Sequence, residues 1–442
     1  MSLSEDYPRV LFITPHAFNK VSGTGITFTN LFFGWPKDRI ATVHDDCQPV
    51  TYEVCDRFYR LGPQEIRKFG GTLANRETLP KASNACGETQ SAPLHIQALQ
   101  SAKNLIFGDG LPQSGLLSLN LETWIEDFKP DVIFTILGSI GLMEVVEKIQ
   151  ARYNLPLIVH MMDDWPSVQF QKGLLGPFQR RRMAGLVRRL MDRSEIRMGI
   201  CDSMCRAFEE RYGGRFVPFQ NTVDVDKWHR SARDPSHLND PIRVVYAGSV
   251  YPNAQLTSLR DCCRAVAELC DDGYAIQAEI YSPSLTKESR EILGEHPAIH
   301  FNGALTDDRS FFDTIGSSDI LLMPSNFDNE SVNFIRYSMP TRVPAYLAVG
   351  MPILVYGSPV VAQVQYACEF GWGLVVSNQG SEALKNGIVR LINDIDLRRR
   401  LSAAALSTAR ERHDASILRD QFRDEISTAA VSRDIAFRQS TI

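Results

Sequence analysis

The residues of this 442-residue chain that could do chemistry stand where apolar, β-branched runs end. The densest group is Ser338, Pro340, Thr341 and Arg342, which together predict the first turn of a helix. Hydroxyl groups, free backbone N–H groups and a guanidinium at a helix start form an anion site. Such a site favours a diphosphate, whose oxygens accept charge-assisted hydrogen bonds. An ordinary capped helix with a solvated arginine is the alternative interpretation.

Three carboxylates are candidate reacting groups. Asp163 and Asp164 directly follow a predicted strand at 155–162, and Glu330 lies near Asp328 in a polar loop after a later strand. At a strand end that faces a cleft, one aspartate could deprotonate or orient a hydroxyl group, and Asp328 and Glu330 could accept hydrogen bonds from a ligand. Helix-capping aspartates and a solvated loop are the alternatives.

Two histidines are weaker candidates. His16 lies in the first loop, where it could act as a base, although a plain loop histidine explains it as well. His160 lies inside a predicted strand, and we expect it to be a hydrogen-bonded core residue.

Several further motifs predict no cofactor or metal. The stretch that starts at Gly23-Thr24-Gly25 nearly matches a dinucleotide-binding motif, but Phe28 replaces its third glycine. Two Asp-x-Asp pairs, at 224–226 and 394–396, fall in a turn and a helical region, so we read them as coincidental. The nine cysteines are scattered without a Cys-x-x-Cys pair, which indicates reduced thiols.

Strand, loop and helix alternate in both halves of the chain. Apolar runs at 9–15, 130–137 and 155–162 are each followed by a polar or glycine-bearing loop, and the pattern restarts at 242–249 after a polar linker. Continuous apolar strands that alternate with helices predict parallel sheets covered on both faces. We therefore predict an α/β protein with two Rossmann-like domains and a ligand cleft between them. Residues 60–115 predict only a long loop with one short helix.

Composition excludes several classes of protein. The formal charge is −5, from 47 basic and 52 acidic residues, so we expect no nucleic-acid partner. No apolar run is long enough for a membrane span, and the acidic start does not resemble a signal peptide, which favours a cytoplasmic protein. A predicted helix at 178–193 carries six arginines and could contact anionic lipid at the inner face of a membrane; a solvated basic face is the alternative.

The order and spacing of several motifs resemble the GT-B glycosyltransferases, and in particular the retaining glycosyltransferase family 4. The motifs are Arg211-Tyr-Gly-Gly, Asn221-Thr-Val-Asp224, Pro324-Ser325, Ser338-Met-Pro-Thr-Arg342 and Tyr346-Leu-Ala-Val-Gly-Met-Pro352. The resemblance covers the chain from the first strand to about residue 425.

The resemblance implies a hexosyl-type transferase without a bound metal, in which the C-terminal domain holds a UDP- or GDP-sugar and the N-terminal domain holds a hydroxyl acceptor. It implies an acceptor in a glycan, glycolipid or glycoconjugate, as in polysaccharide assembly. The implied donor-binding residues are Gly23, Thr24, Gly25, Gly248, Ser249, Ser325, Asn326, Ser338, Thr341, Arg342 and Tyr346.

The resemblance also implies a domain organisation. We expect an N-terminal domain at 1–222, a linker at 223–241, a C-terminal domain at 242–410, a helix crossing back to the first domain at 411–428 and a flexible tail at 429–442. Two departures from the family keep other functions open: Ala345 replaces a glutamate, and the loop 249–255 has no cation. The alternatives are a sugar-nucleotide epimerase or hydrolase, and a non-catalytic binding or scaffold protein.

Overall fold

The computed structural model describes residues 7–69, 105–108 and 110–440. Within the range 60–115, where the sequence predicts one short helix, residues 105–107 are helical, and most of the rest of that range, together with Cys86, lies outside the description. The other eight cysteines are unbridged.

The N-terminal domain contains a seven-stranded parallel sheet in the order β3-β2-β1-β6-β7-β8-β9, together with an antiparallel β4–β5 pair. Its central strands are buried along their whole length, as continuous apolar runs predict. The strands are β1 (Val10–Thr14), β2 (Ile40–His44), β3 (Phe58–Arg60), β4 (Ile66–Lys68), β5 (Gln113–Gly115), β6 (Val132–Ile136), β7 (Leu157–Met161), β8 (Ile196–Gly199) and β9 (Phe216–Pro218).

The C-terminal domain contains a six-stranded parallel sheet in the order β12-β11-β10-β13-β14-β15. The strands are β10 (Ile242–Ala247), β11 (Ile276–Tyr281), β12 (Ile299–Asn302), β13 (Ile320–Pro324), β14 (Ile353–Tyr356) and β15 (Leu374–Val376). This restart confirms the predicted two-domain α/β architecture.

Helices connect the parallel strands in both domains. In the N-terminal half they are α1 (Gly23–Leu31), α2 (Leu119–Phe128), α3 (Ile140–Tyr153), α4 (Trp165–Val168), α5 (Gly176–Arg193), α6 (Asp202–Tyr212) and α7 (Val225–His229). In the C-terminal half they are α8 (Leu256–Asp271), α9 (Lys287–Leu293), α10 (Asp308–Gly316), α11 (Asn329–Ile335), α12 (Arg342–Val349), α13 (Ala362–Phe370), α14 (Ser381–Asn393), α15 (Ile395–Arg412) and α16 (Ala415–Ser440).

The last helix, α16, crosses back to the N-terminal domain, as predicted. Its Phe422 is fully buried and packs edge-on against Phe32 and Phe219 of that domain. Helix α16 runs to Ser440, although the sequence analysis expects a flexible tail from residue 429. No glycine or proline interrupts its residues, so nothing in the local sequence ends the helix earlier.

Two other local predictions differ from the structure. Residues 60–115 contain the β4–β5 pair, whose three-residue strands are too short for a clear alternating pattern. The predicted linker contains the short helix α7. Among the described residues, no helix is both long and apolar enough to cross a membrane.

Candidate functional site

Segments that follow strands of the two parallel sheets contact each other, and we call the region where the two domains meet here the cleft. A β carbon built on Gly23, at the start of α1, would lie 3.4 Å from Thr341 Cγ2, at the start of α12. Asn221 Nδ2 donates to the carbonyl oxygen of Thr341 at 2.9 Å, and Ser338 Oγ donates to Asp163 Oδ1. The start of one helix from each domain therefore lies in the cleft.

Arg342 is the first residue of α12, and its guanidinium lies 4.8 Å above the Tyr246 ring. Its Nε and Nη2 atoms are buried but have no hydrogen-bond partner among the described residues. No side chain caps α12, because Thr341 makes no capping hydrogen bond. In the first turn of α12, the Val343 N–H donates to the Pro340 carbonyl oxygen at 3.0 Å and Pro344 has no N–H. The backbone N–H of Arg342 therefore lies beside two guanidinium nitrogens without partners among the described residues, and together these donors suit an anion.

Gly248, just after β10, lies against this guanidinium. A β carbon there would lie 2.6 Å from Arg342 Nη1, and the residue has a φ of +154°. The close approach requires glycine. Ser249 follows in a half-buried loop, and its carbonyl oxygen accepts a hydrogen bond from the Tyr246 hydroxyl. This hydrogen bond holds the Tyr246 ring beneath Arg342.

The start of α1 forms the opposite wall of the cleft. Ser22 caps the helix by accepting from the Gly25 N–H at 3.0 Å. The side chain of the buried Asn19 fills the space beside Gly25, where a β carbon would lie 2.3 Å away. The N–H groups of Gly23 and Thr24 lie in the first turn, where a helix supplies no partner.

Asp163 follows β7 and is the carboxylate that reaches across the cleft. Burial raises the pKa of Asp163 to about 6, and the hydrogen bond from Ser338 offsets part of that rise. Asp163 therefore changes charge close to neutral pH, in contact with the opposite domain.

Asp164 points elsewhere, although it is the next residue. Arg211 holds both of its oxygens, with Nη1–Oδ1 at 2.7 Å and Nη2–Oδ2 at 2.9 Å, and Asp164 is only 5% exposed. Ser167 also donates to Asp164 Oδ1. The hydrogen bonds of this carboxylate are all made inside the N-terminal domain. A structural role therefore fits Asp164 better than a role in the reaction.

Arg211→Ala is expected to destabilise the protein by about 3 kcal/mol, because the mutation leaves the buried Asp164 carboxylate without its cation. Chemical denaturation measures this loss. In the Asp164→Asn/Arg211→Ala double variant, most of the loss should be recovered. A loss that stays the same in the double variant would contradict the pairing.

The other sequence-predicted residues divide into exposed and buried ones. Glu330 is 86% exposed at the start of α11, and its nearest cation is Lys172 Nζ at 4.0 Å. Ser325, Asn326 and Tyr346 are at most 2% exposed. Their side chains therefore lie behind the cleft surface rather than in it, which differs from the predicted direct contact with a donor.

These buried residues position the loops that border the cleft. Asn326 accepts from the Ser258 N–H and donates to the Pro252 carbonyl oxygen, tying the loop after β13 to the loop after β10. The Tyr346 hydroxyl accepts from the Ala247 N–H at 2.9 Å and thereby fixes α12 beside β10. A sequence motif alone does not distinguish such supporting residues from ligand contacts.

Sequence reasoning named His16 but missed its partner. His16 Nδ1 lies 3.0 Å from Asp46 Oδ2, at the carboxyl ends of β1 and β2. Burial alone would raise the pKa of Asp46, but the hydrogen bonds from His16 and backbone N–H groups hold it below its usual value. In the sequence, the two aspartates that follow His44, Asp45 and Asp46, could have indicated a partner for His16. His160, in contrast, is a fully buried core residue whose Nε2 lies 3.0 Å from the Phe219 carbonyl oxygen.

Within the described ranges, no group of three or more histidine, cysteine, aspartate or glutamate side chains is arranged to hold a metal ion. The cation that the structure places at the candidate anion site is the Arg342 guanidinium. A guanidinium and helix N-termini can stabilise a leaving diphosphate electrostatically.

No family model and no curated protein matches the sequence. Solved structures do match the fold. Alr3699/HepE from Anabaena, crystallised with UDP, superposes with a TM-score of 0.60 at 14% identity, over 95% of this chain and 100% of that chain. Sucrose-phosphate synthase from Thermosynechococcus elongatus gives 0.58 at 13% identity over 98% and 99%. The α,α-trehalose 6-phosphate synthase of Burkholderia multivorans gives 0.60 at 12% identity over 96% and 100%.

These neighbours are GT-B glycosyltransferases, and the match extends over both domains. The identities are too low to show more than the fold, and they do not assign the chain to family 4, so that resemblance remains a prediction. The two facing Rossmann-like domains, the parallel sheets and the returning C-terminal helix establish that this protein has the GT-B fold.

Proposed function

We propose that this protein is a glycosyltransferase that moves a sugar from a nucleotide-diphosphate donor to a hydroxyl acceptor. The observation that carries the proposal is the pair of buried guanidinium nitrogens of Arg342, Nε and Nη2, which lack a partner among the described residues at the uncapped start of α12. Burying such donors without a partner costs free energy, which a bound diphosphate would recover. The solved complexes of HepE with UDP and UDP-glucose support a UDP-sugar as the first donor to test, with GDP-sugars next.

In this proposal the C-terminal domain binds the donor phosphates through the guanidinium and the backbone N–H of Arg342. Gly248 lets the diphosphate approach the backbone, and Gly23 and Thr24 face the donor from the other domain. Ser325, Asn326 and Tyr346 hold these loops in place. The N-terminal domain binds the acceptor, a glycan, glycolipid or other glycoconjugate, and Glu330 lies at the outer edge of the donor side.

In this proposal, Asp163 is the base that accepts the proton of the acceptor hydroxyl. Its pKa of about 6 lets the carboxylate exist at neutral pH and accept a proton during the transfer. The resemblance to family 4 supports retention of configuration. The His16–Asp46 pair supports a second mechanism, in which His16 is the base of an inverting transfer. The anomeric configuration of the product distinguishes the two.

The first test is thermal stability with UDP, GDP and their sugars. The preferred ligand should stabilise the folded protein by about 2.7 kcal/mol at a hundredfold excess over its Kd. Gly248→Ala should abolish most of that stabilisation, because the new methyl group displaces Arg342. The matched control is Gly273→Ala, which also has a positive φ but no atom within 4 Å of the added methyl group, and it should keep the ligand response.

Three outcomes redirect the proposal. If no nucleotide stabilises the wild type, a non-catalytic binding or scaffold role takes its place. If a sugar nucleotide is consumed equally fast without any acceptor, the protein is an epimerase or hydrolase. If Gly248→Ala and Gly273→Ala respond alike, the nucleotide binds outside the proposed site.

A further inference from the structure

Six exposed apolar side chains lie together at one end of the N-terminal domain, and we call them the apolar rim. Four of them are at least 65% exposed: Leu174 (73%), Leu105 (66%), Phe178 (66%) and Phe69 (65%). Leu175 and Ile106 complete the rim. Scattered exposed hydrophobic residues are common, whereas a contiguous group of this kind marks an interaction surface.

Backbone contacts join the rim into one surface. The Leu174 and Leu175 N–H groups donate to the carbonyl oxygens of Leu105 and Ile106, both at 2.9 Å. Gly173 makes this approach possible, because a β carbon on it would lie 2.4 Å from the Gly108 nitrogen.

Phe69 and Phe178 extend the surface on its two sides. Phe69 reaches the same segment through the Phe107 ring, at a centroid distance of 5.8 Å. Phe178 lies in the first turn of α5, directly after the paired segment. Chain segments far apart in the sequence therefore build one surface.

Cations flank the rim residues in the sequence, and they indicate which partner the rim fits. Those near it in the chain are Arg67, Lys68, Arg180 and Arg181, together with Lys172, which pairs with Glu330. An apolar surface with a basic border is complementary to a bilayer with anionic headgroups, because the apolar side chains enter the acyl boundary while the cations contact the headgroups.

The arginine-rich face of α5, which the sequence analysis suggests as the lipid contact, is largely neutralised. Arg182 pairs with Glu144 at 2.6 Å, and Glu147 takes both Arg189, at 2.7 Å, and Arg193, at 3.4 Å. Both glutamates lie on α3, which packs beside α5. Of this helix, the amino-terminal end beside the apolar rim is therefore the part that we expect an anionic lipid surface to attract.

The rim also borders the cleft, since Lys172 Nζ lies 4.0 Å from Glu330 Oε1 of the C-terminal domain. We propose that the apolar rim docks the protein on an anionic lipid bilayer and presents the cleft to an acceptor held in that bilayer. The acceptor class rests on the proposed glycosyltransferase function, whereas docking itself does not. A lipid-linked hydroxyl compound is then the acceptor class that the surface selects.

Vesicle flotation of the full chain tests docking without any assay of transfer. The protein should float with vesicles of phosphatidylcholine and phosphatidylglycerol but not with pure phosphatidylcholine, and salt should weaken the binding. Leu174→Ser/Phe178→Ser should reduce the vesicle partition coefficient by about tenfold or more, because two large side chains no longer enter the bilayer. Ile292→Ser, an exposed position on α9 of the other domain, is the matched control and should change nothing.

The thermal response to the preferred nucleotide separates this proposal from the proposed function. The double variant should keep that response, because Leu174 and Phe178 do not belong to the donor site. Absent flotation of the wild type, or flotation that the double variant leaves unchanged, would overturn docking even where nucleotide binding is intact. Sedimentation that reveals a dimer lost in the double variant would also overturn it, because a second copy would then cover the rim.

Discussion

Arg342→Ala should weaken binding of the preferred nucleoside diphosphate by about a hundredfold. Two buried N–H groups, Nε and Nη2, lack partners in the ligand-free protein and are available to phosphate oxygens. Hydrogen bonds that involve charged groups contribute about 1.5–3 kcal/mol each, so losing both costs at least that factor. Isothermal titration calorimetry measures the change. Arg342→Lys should give an intermediate loss, because lysine keeps the charge but not the planar fork.

The stability of ligand-free Arg342→Ala distinguishes an anion-binding role of Arg342 from a structural role. Unpaired buried donors cost about 1–3 kcal/mol each, so their removal should lower the free energy of unfolding by less than about 1 kcal/mol or even increase it. Arg264→Ala is the matched control, since this exposed arginine of the same domain pairs only on the surface, with Glu268. Unchanged nucleotide affinity in Arg342→Ala, or a large loss of stability without ligand, would assign Arg342 a structural role.

Asp163→Asn should lower kcat by about 10²–10⁴-fold, the usual contribution of a positioned acid–base group. In the wild type, the rate should rise with pH and level off above about 6, where the buried carboxyl loses its proton. Ser338→Ala should move that limb to higher pH, because the hydroxyl hydrogen bond favours the ionised form. A pH–rate profile for each variant, measured with the donor identified by thermal stability, checks the three statements together.

The same pKa predicts a stability effect of known sign. The folded-state pKa of about 6 exceeds the ordinary value of 3.8, so the unfolded chain releases this proton first. The contribution of Asp163 to stability is therefore largest below about pH 4 and is lost as pH rises through 6. Asp163→Asn should gain stability relative to the wild type across that window. If Asp163→Asn keeps the wild-type kcat and the wild-type pH dependence of the rate, Asp163 is not the base, and His16 becomes the candidate base.

Much of the fold was predictable because it follows from local periodicity. A short continuous apolar run bounded by turn residues, such as the one around β7, favours a buried strand, and an amphipathic stripe predicted α5 almost to the residue. Arg342 was also predictable, because a helix start with an arginine is visible in the residue types alone. The β4–β5 pair was not, since its pairing joins segments about fifty residues apart.

Contacts between segments far apart in the sequence determine which residues belong to the candidate site. Asp163 and Asp164 are adjacent and chemically identical, yet Ser338 of the other domain contacts one and Arg211 neutralises the other. The His16–Asp46 pair joins neighbouring strands, and no spacing rule connects its members in advance. For the same reason the sequence did not reveal the ion pairs of the basic face of α5, because its counter-charges lie on α3.

The sequence by itself determined the two-domain α/β architecture and the residue types at the strand ends. These properties follow from hydrophobic periodicity and backbone preference, which act within a few residues. Only the tertiary structure decided which side chains are available: it left Arg342 unpaired, buried Tyr346 and Asn326 behind the cleft, and joined two distant loops into the apolar rim. Availability depends on burial and on partners contributed by other segments, and packing, rather than local sequence, sets both.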